Sequence, residues 1–292
     1  MTNLNAIPFQ RGGVFLCLMV GGFLTSAAHA EEATCESIYQ SVESIAAKDD
    51  RELPAIPKTS PDAARKKFIK QYAPLEATVS AKGVPFSASK MLDRLWKLYG
   101  LARASGDCSP ELSQLLTTVA TVEFKRGYPG EASAFAEAAL STNDLDTPDR
   151  VGDAIYLHDQ LADALHDAPT SIKHMQAAVD LAPRDPSLEP LQRFGLRQDL
   201  GFWLHEGKRF DEARQVNAQL LADAMRELGA DDVALLGVLE NLAQNYYELK
   251  QLGEADAYLK RCLALARKHA RKDVESRIQS QRAVLARETG GQ

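Results

Sequence analysis

Residues 240–266 read ENLAQNYYELKQLGEADAYLKRCLALA, and three small residues in this stretch decide the fold. Ala243, Ala255 and Cys262 stand at steps of twelve and seven among larger apolar neighbours. Two antiparallel helices joined by a short turn approach closely only where the facing side chains are small. Such a pair needs one narrow point on its first helix and two, about two turns apart, on its second. Ala243, Ala255 and Cys262 fill those three places, and Leu239, Leu242, Tyr246 and Leu259 supply the apolar surface around the crossing.

The same spacing recurs upstream. Taking Leu242-Ala243 as an anchor, Leu200-Gly201 lies 42 residues earlier, Leu161-Ala162 another 39, and Val119-Ala120 another 42. From anchor to next small residue the interval is 13 at Ala132, Ala213 and Ala255. It is 10 at Ser171, where the turn DAPT is three residues short, which accounts for the 39. Seven residues further stand Ala139, Ala178, Leu220 and Cys262. Four agreeing intervals predict helix pairs, each with an apolar face that only the next pair covers.

These residues resemble the tetratricopeptide repeat, whose pattern of a large residue, Leu-Gly/Ala, Tyr, then Ala and a large apolar residue is met by Leu239, Leu242-Ala243, Tyr246, Ala255 and Leu259. The period near 42 is similar to the longer-helix variety of kinesin light chains. The resemblance covers about 110 to 270 and is most specific in the fourth repeat. It implies an all-α fold: a right-handed α-solenoid with an N-terminal helical cap and a C-terminal capping helix. Leu220 and Asn217 replace residues usually smaller and more apolar, respectively, so the third repeat is expected to pack less closely. Residues 273–288, DVESRIQSQRAVLARE, begin where a fifth first-helix would and read as the cap.

The two ends are of different character. Residues 1–30 carry one charge, Arg11, then the apolar run VFLCLMVGGFLTSAA and the small-x-small site AHA. That is the pattern of a secretory signal peptide cut after Ala30, the alternative being an uncleaved anchor. The expected organisation is 1–30 signal, 31–107 helical cap region and 108–292 solenoid. In the cap region Cys35, Ile38, Val42 and Ile45 form one helical stripe. A Pro-rich linker, DDRELPAIPKTSP, ends on the cap-proline start Ser60-Pro61. The helix that follows is expected to be interrupted near Pro74, and another, opened by Ser87 or Ser89, to close at Gly106.

Export implies an oxidising compartment, periplasmic or extracellular, in which disulfides persist. The mature chain keeps Cys35, Cys108 and Cys262. Cys35 and Cys108 are expected to bridge the cap region to the first repeat, leaving Cys262 as a small buried hydrophobe at a helix crossing. Without Arg11 there remain 33 basic against 40 acidic side chains, a formal charge of −7. That balance disfavours nucleic acid as a partner. No other apolar run is long enough to span a bilayer. The basic stretch Lys260, Arg261, Arg267, Lys268, Arg271, Lys272, Arg277, Arg282 and Arg287 reads as a solvated face, with an anionic partner as the alternative.

Nothing in the sequence announces a reaction. GxSxG, HExxH, a Walker loop and GxGxxG are all missing, so no enzyme and no cofactor are expected. His158, His166 and His174 recur at eights, which drift round a helix, and read as surface or half-buried residues. The rival reading is a divalent-metal site or metal-dependent enzyme using the face Asp159, Asp163, His166 and Asp167, with His205 and Glu206 from the next first-helix.

The favoured reading is an exported scaffold for a protein or peptide. The resemblance implies a concave groove lined by positions 2, 5, 9, 12 and 13 of each first helix. These are Gln114, Thr117, Thr121, Phe124 and Lys125 in the first repeat, and Tyr156, Asp159, Asp163, His166 and Asp167 in the second. The third supplies Gly195, Gln198, Phe202, His205 and Glu206, and the fourth Gly237, Glu240, Gln244, Tyr247 and Glu248. Six carboxylates against one lysine predict a preference for a basic segment.

Overall fold

The computed structural model describes residues 35–48, 54–82, 88–106, 110–142, 145–165 and 167–290. The expected signal peptide and Cys108 lie outside the described residues. Every regular element described is helical, and successive helices pack on one another from the second to the sixth and again from the seventh to the twelfth. The chain forms two compact units, whose described parts are 35–165 with 183–186, and 167–182 with 187–290.

The N-terminal unit holds α1 (Cys35–Lys48), α2 (Pro61–Lys82), α3 (Ala88–Ser105), α4 (Pro110–Arg126), α5 (Pro129–Leu140) and α6 (Pro148–Leu165). Ile38 and Val42 of the predicted stripe are buried in one core with Phe68, Tyr72, Tyr99, Leu115 and Phe135. Aromatic side chains carry polar ties inside that core. Tyr39 donates to the Ala102 carbonyl at 2.8 Å, and Tyr72 meets the Thr118 hydroxyl at 2.9 Å. Arg103 of α3 lies over the Tyr39 ring at 4.8 Å and reaches both Glu36 and Glu43 of α1. The expected boundary at 107/108 falls within this core, because α1 and α3 pack against α5 and α4.

One expectation fails here. Helix α2 runs unbroken through Pro74. An interior proline costs about 3 kcal/mol by removing a hydrogen bond and crowding the preceding turn. Phe68, Tyr72 and Leu75, buried on both sides of it, offset that cost. Gly100 on α3 lets the linker pass close by: a Cβ there would lie 3.3 Å from the Ala55 carbonyl oxygen.

The C-terminal unit holds α7 (Ala168–Leu181), α8 (Pro190–Glu206), α9 (Phe210–Leu228), α10 (Leu235–Glu248), α11 (Leu252–Lys268) and α12 (Lys272–Gly290). The crossing residues are where the intervals predict. Ala213, Ala255 and Cys262 are fully buried, as are Ala132 and Ala120 in the other unit. Asn217 and Leu220 do not loosen the third repeat, for they are only 0 % and 1 % exposed. Gly201 makes the room: a Cβ on it would stand 2.7 Å from the Asn217 amide nitrogen, which instead donates to the Ala213 carbonyl. Gly201 is the first-helix narrow point of this repeat, and Asn217 fills the space that it leaves. Helix α12 closes the unit with Val274 and Ile278 fully buried, as the expected capping helix should.

Candidate functional site

The five positions expected to line a groove divide into two kinds. In the third and fourth repeats positions 5 and 12 are taken up by the next first helix or the capping helix. In the third repeat His205 Nδ1 meets Asn245 Oδ1 of α10 at 2.9 Å, and Gln198 lies against Gly237. In the fourth, Arg277 of α12 donates twice to Glu240, at 2.6 and 2.8 Å, and Gln281 donates a third bond at 3.2 Å. Tyr247 donates to Glu288 of α12 at 2.6 Å; burial and that carboxylate push its phenol up to about 12. The first repeat behaves likewise, with Thr117 buried and Phe124 packed against the core.

Glu240 is therefore a correction. It is 4 % exposed and ion-paired within the chain, where the sequence reading had it open to a ligand. Its partner lies 37 residues away on the capping helix, so no local pattern reveals it. Asp167 also changes role. It is the N-cap of α7, accepting from the Thr170 amide and hydroxyl. The run Asp167-Ala-Pro-Thr170 carries that signal in the sequence, since a cap residue followed by a first-turn proline opens a helix.

Positions 9 and 13 are half-buried or exposed. Phe202 and Gln244 are half-buried, Glu206 is exposed and Glu248 half-buried, one pair on each of the neighbouring helices α8 and α10. Gln244 reaches Glu248 at 3.5 Å along the same helix. On the N-terminal unit Thr121 and Lys125 of α4, and Tyr156, Asp159 and Asp163 of α6, are exposed or half-buried. Asp159 accepts from the Gln160 amide at 3.3 Å.

The metal reading gains no support. Among the described residues no three His, Cys, Asp or Glu side chains stand together as ligands. Asp167 caps a helix, His205 is held by Asn245, and His166 lies outside the described residues. His174 is buried, not superficial. The basic C-terminal stretch is largely paired internally: Lys260 and Arg282 with Asp256, Arg267 and Lys272 with Glu275, Lys268 with Asp231, and Arg271 with Asp273. No described helix is long and apolar enough to cross a membrane.

Residues 195–268 match the tetratricopeptide repeat family model. No curated protein matches the chain. A crystal structure of nearly identical tetratricopeptide-like repeats from a kinesin light chain-type protein of Podosopora anserina superposes with TM-score 0.51 at 15% identity, covering 74% of this chain and all of that one. The structure of pilF from Pseudomonas aeruginosa covers 80% of this chain and 95% of its own at 15% identity, but its TM-score of 0.41 is too low to inform the fold. Residues 195–268 are thus matched in sequence as tetratricopeptide repeats, and about three quarters of the chain is similar to such repeats in fold.

Proposed function

We propose that the protein is an exported, non-enzymatic scaffold that binds a Lys- or Arg-bearing protein segment along the open positions of its first helices. Repeats of this kind form protein-interaction scaffolds through extended surfaces of stacked helices. The observation that carries the reading is the division just described. In the third and fourth repeats positions 5 and 12 hold neighbouring helices together, while Glu206 is exposed and Phe202, Gln244 and Glu248 are only half-buried on α8 and α10. An aromatic ring between carboxylates suits a guanidinium or ammonium with an apolar stem. Asp159 and Asp163 offer the same chemistry on α6.

Capture of the partner from the exported fraction, with residues 31–292 as bait, supplies the ligand. Its affinity then falls with salt, and neutralising Asp159, Asp163, Glu206 and Glu248 to their amides slows association more than dissociation. Equal binding by the neutralised variant sinks the basic-segment reading. Glu240 stays out of that variant, because it holds α12.

Export rests on the sequence of residues 1–30, and N-terminal sequencing of the mature protein should begin at Glu31. The bridge between Cys35 and Cys108 is part of the same proposal. It draws support from Cys262 being a buried free thiol. Burial pushes the Cys262 thiol up to about 12, which keeps it out of exchange chemistry. Peptide mapping without reductant should recover Cys35 joined to Cys108; any bridge to Cys262 contradicts the proposal.

A further inference from the structure

Lysines of the C-terminal unit are held by carboxylates: Lys260 by Asp256, Lys268 by Asp231 and Lys272 by Glu275. The N-terminal unit has a run of positive charge that is not neutralised in this way. Between residues 54 and 105 stand 10 Lys and Arg against 3 Asp and Glu, a balance of +7. The rest of the chain has 24 against 37, a balance of −13. Lys58, in the loop before α2, and Lys66, Lys67 and Lys70 on α2 are exposed, and none of the four makes an ion pair among the described residues. Helix α3 adds Lys90, Arg94 and Lys97, exposed along one stripe by their i, i+4, i+7 spacing.

Helix α2 presents these charges outward. From Pro61 to Leu75 only Ala64, Phe68, Tyr72 and Leu75 are buried, a narrow stripe spent on the core. At 100° per residue Lys66 and Lys70 stand opposite that stripe, one turn apart, with Lys67 and Ile69 to either side. The first turn carries one exposed acid, Asp62. Two of the five large apolar side chains exposed among the described residues belong to the same stretch, Ile56 at 56% and Ile69 at 37%.

The chemistry of this face selects among polyanions. A single compact anion needs donors that converge, whereas these cations are strung along a loop and a helix. Lysine is a point charge without the fork of arginine, and it is depleted in protein–protein interfaces. Single-stranded nucleic acid is gripped by stacking on aromatic rings, and the rings of α2, Phe68 and Tyr72, are buried. A surface of acidic phospholipid accepts point charges at no fixed spacing and takes aliphatic side chains in among its headgroups. The chain as a whole is acidic, so the attraction acts locally, within a screening length of about 8 Å at physiological salt.

We propose that the outer face of α2, with the loop before it, is a peripheral docking surface for an anionic phospholipid bilayer. The lysines meet headgroup phosphates, and Ile56 and Ile69 enter the boundary with the acyl chains. Because its apolar stripe is held in the core, α2 stays on the unit and rests on the bilayer without inserting. The surface lies apart from the positions proposed for the protein segment and leaves them free.

The test floats residues 31–292 with vesicles of phosphatidylcholine and phosphatidylglycerol, and with vesicles of phosphatidylcholine alone. Binding should require the anionic lipid and fall as salt is raised. Lys66→Gln with Lys70→Gln should weaken it about 25-fold, at about fivefold for each cation near the surface. Lys260→Gln with Lys268→Gln takes the same charge from paired lysines and should leave binding unchanged. Ile69→Ala keeps every charge and should weaken binding about fivefold. Equal binding to neutral vesicles, no binding to anionic ones, or equal weakening by the two lysine pairs overturns the surface. So does tighter binding to a DNA duplex than to the vesicles, which assigns the face to nucleic acid. Self-association at low salt that the Lys66 and Lys70 variant abolishes, with vesicles left unbound, overturns it as well and assigns the face to a second copy of the chain.

Discussion

The two units of this chain are built on different principles. The N-terminal unit gathers Tyr39, Phe68, Tyr72, Tyr99 and Phe135 into an aromatic core, with rings at 5.5 to 5.9 Å and hydroxyls tied to backbone or Thr118. The C-terminal unit has a core of Leu, Ala, Val and Ile around repeated crossings, and ion pairs join α8 to α9 and α12 to α10 and α11. An aromatic core is specified by particular large side chains at irregular sequence distances. A repeat core is specified by small residues at fixed distances. The first should suffer most from truncating a ring, the second from breaking a charge pair or filling a crossing.

The largest effect expected is in the aromatic core. Tyr72→Ala leaves a cavity beside Phe68 and removes the bond to the Thr118 hydroxyl, at about 3–5 kcal/mol. Hydrogen exchange should show protection falling across α1–α5; a fall spread equally over α9–α12 would break the contrast between the units. Next comes Glu240→Gln, which leaves Arg277 partly buried without its counter-charge, at about 3 kcal/mol. Urea unfolding measures it, and Arg277→Met in the same chain should recover part of the loss. If the double variant is no better than the single, the pair does not hold α12.

Acid should separate the units too. Hydrogen bonding from Arg271 holds the Asp273 carboxyl down to about 2, and Arg267 with Lys272 lowers Glu275. Lys268 lowers Asp231. Burial raises the Asp256 carboxyl, and Arg282 and Lys260 more than reverse it. A carboxyl depressed in the folded state contributes stability that is complete above its unfolded value of about 4 and is lost as pH falls toward the folded one. Among the described residues of the N-terminal unit Glu36 alone is lowered clearly, by Arg103. Between roughly pH 4 and 2, protection in α11 and α12 should therefore fall before protection in α2 and α4. Simultaneous loss would mean that these exposed pairs contribute nothing measurable.

The same contrast explains what could be read in advance. The crossing residues Ala243, Ala255 and Cys262 were legible because close approach of two helices leaves no alternative to small side chains. The unbroken α2 was not, because what outweighs Pro74 is tertiary burial of Phe68 and Tyr72. The third repeat was misjudged by weighing Asn217 and Leu220 without Gly201, which faces Asn217 from the other helix. At the candidate site Phe202, Glu206, Gln244 and Glu248 lie half-buried or exposed on α8 and α10. The loss of Glu240 was not foreseen, because a helix face is known from sequence but what lies on it is not. Arg277 could have been suspected only by treating the capping helix as a true fifth first-helix, whose residues must cover positions 5 and 12 of the fourth.

The smallest effect compares one turn position between the units. Gly127 ends the turn after α4 with φ +81°, and Lys208 and Lys250 take the equivalent place after α8 and α10 with φ +59° and +61°. A left-handed residue with a Cβ costs about 1–2 kcal/mol, whereas glycine is free of that clash and loses only chain entropy of about 0.5–1 kcal/mol. Lys208→Gly should therefore stabilise the C-terminal unit by roughly 0.5–1 kcal/mol, read as a higher midpoint in urea with unchanged slope. Lys250→Gly removes the same strain but also a cation over the Tyr247 ring at 5.2 Å. That contact contributes about 0.5–1 kcal/mol, so the second substitution should be near neutral. Gly127→Ala runs the comparison backwards and should destabilise the N-terminal unit by about 1 kcal/mol, although a Cβ there meets nothing within 4 Å. If all three leave the midpoints unmoved, the backbone strain at these turns relaxes locally, and the repeats tolerate lysine there at no cost to either unit.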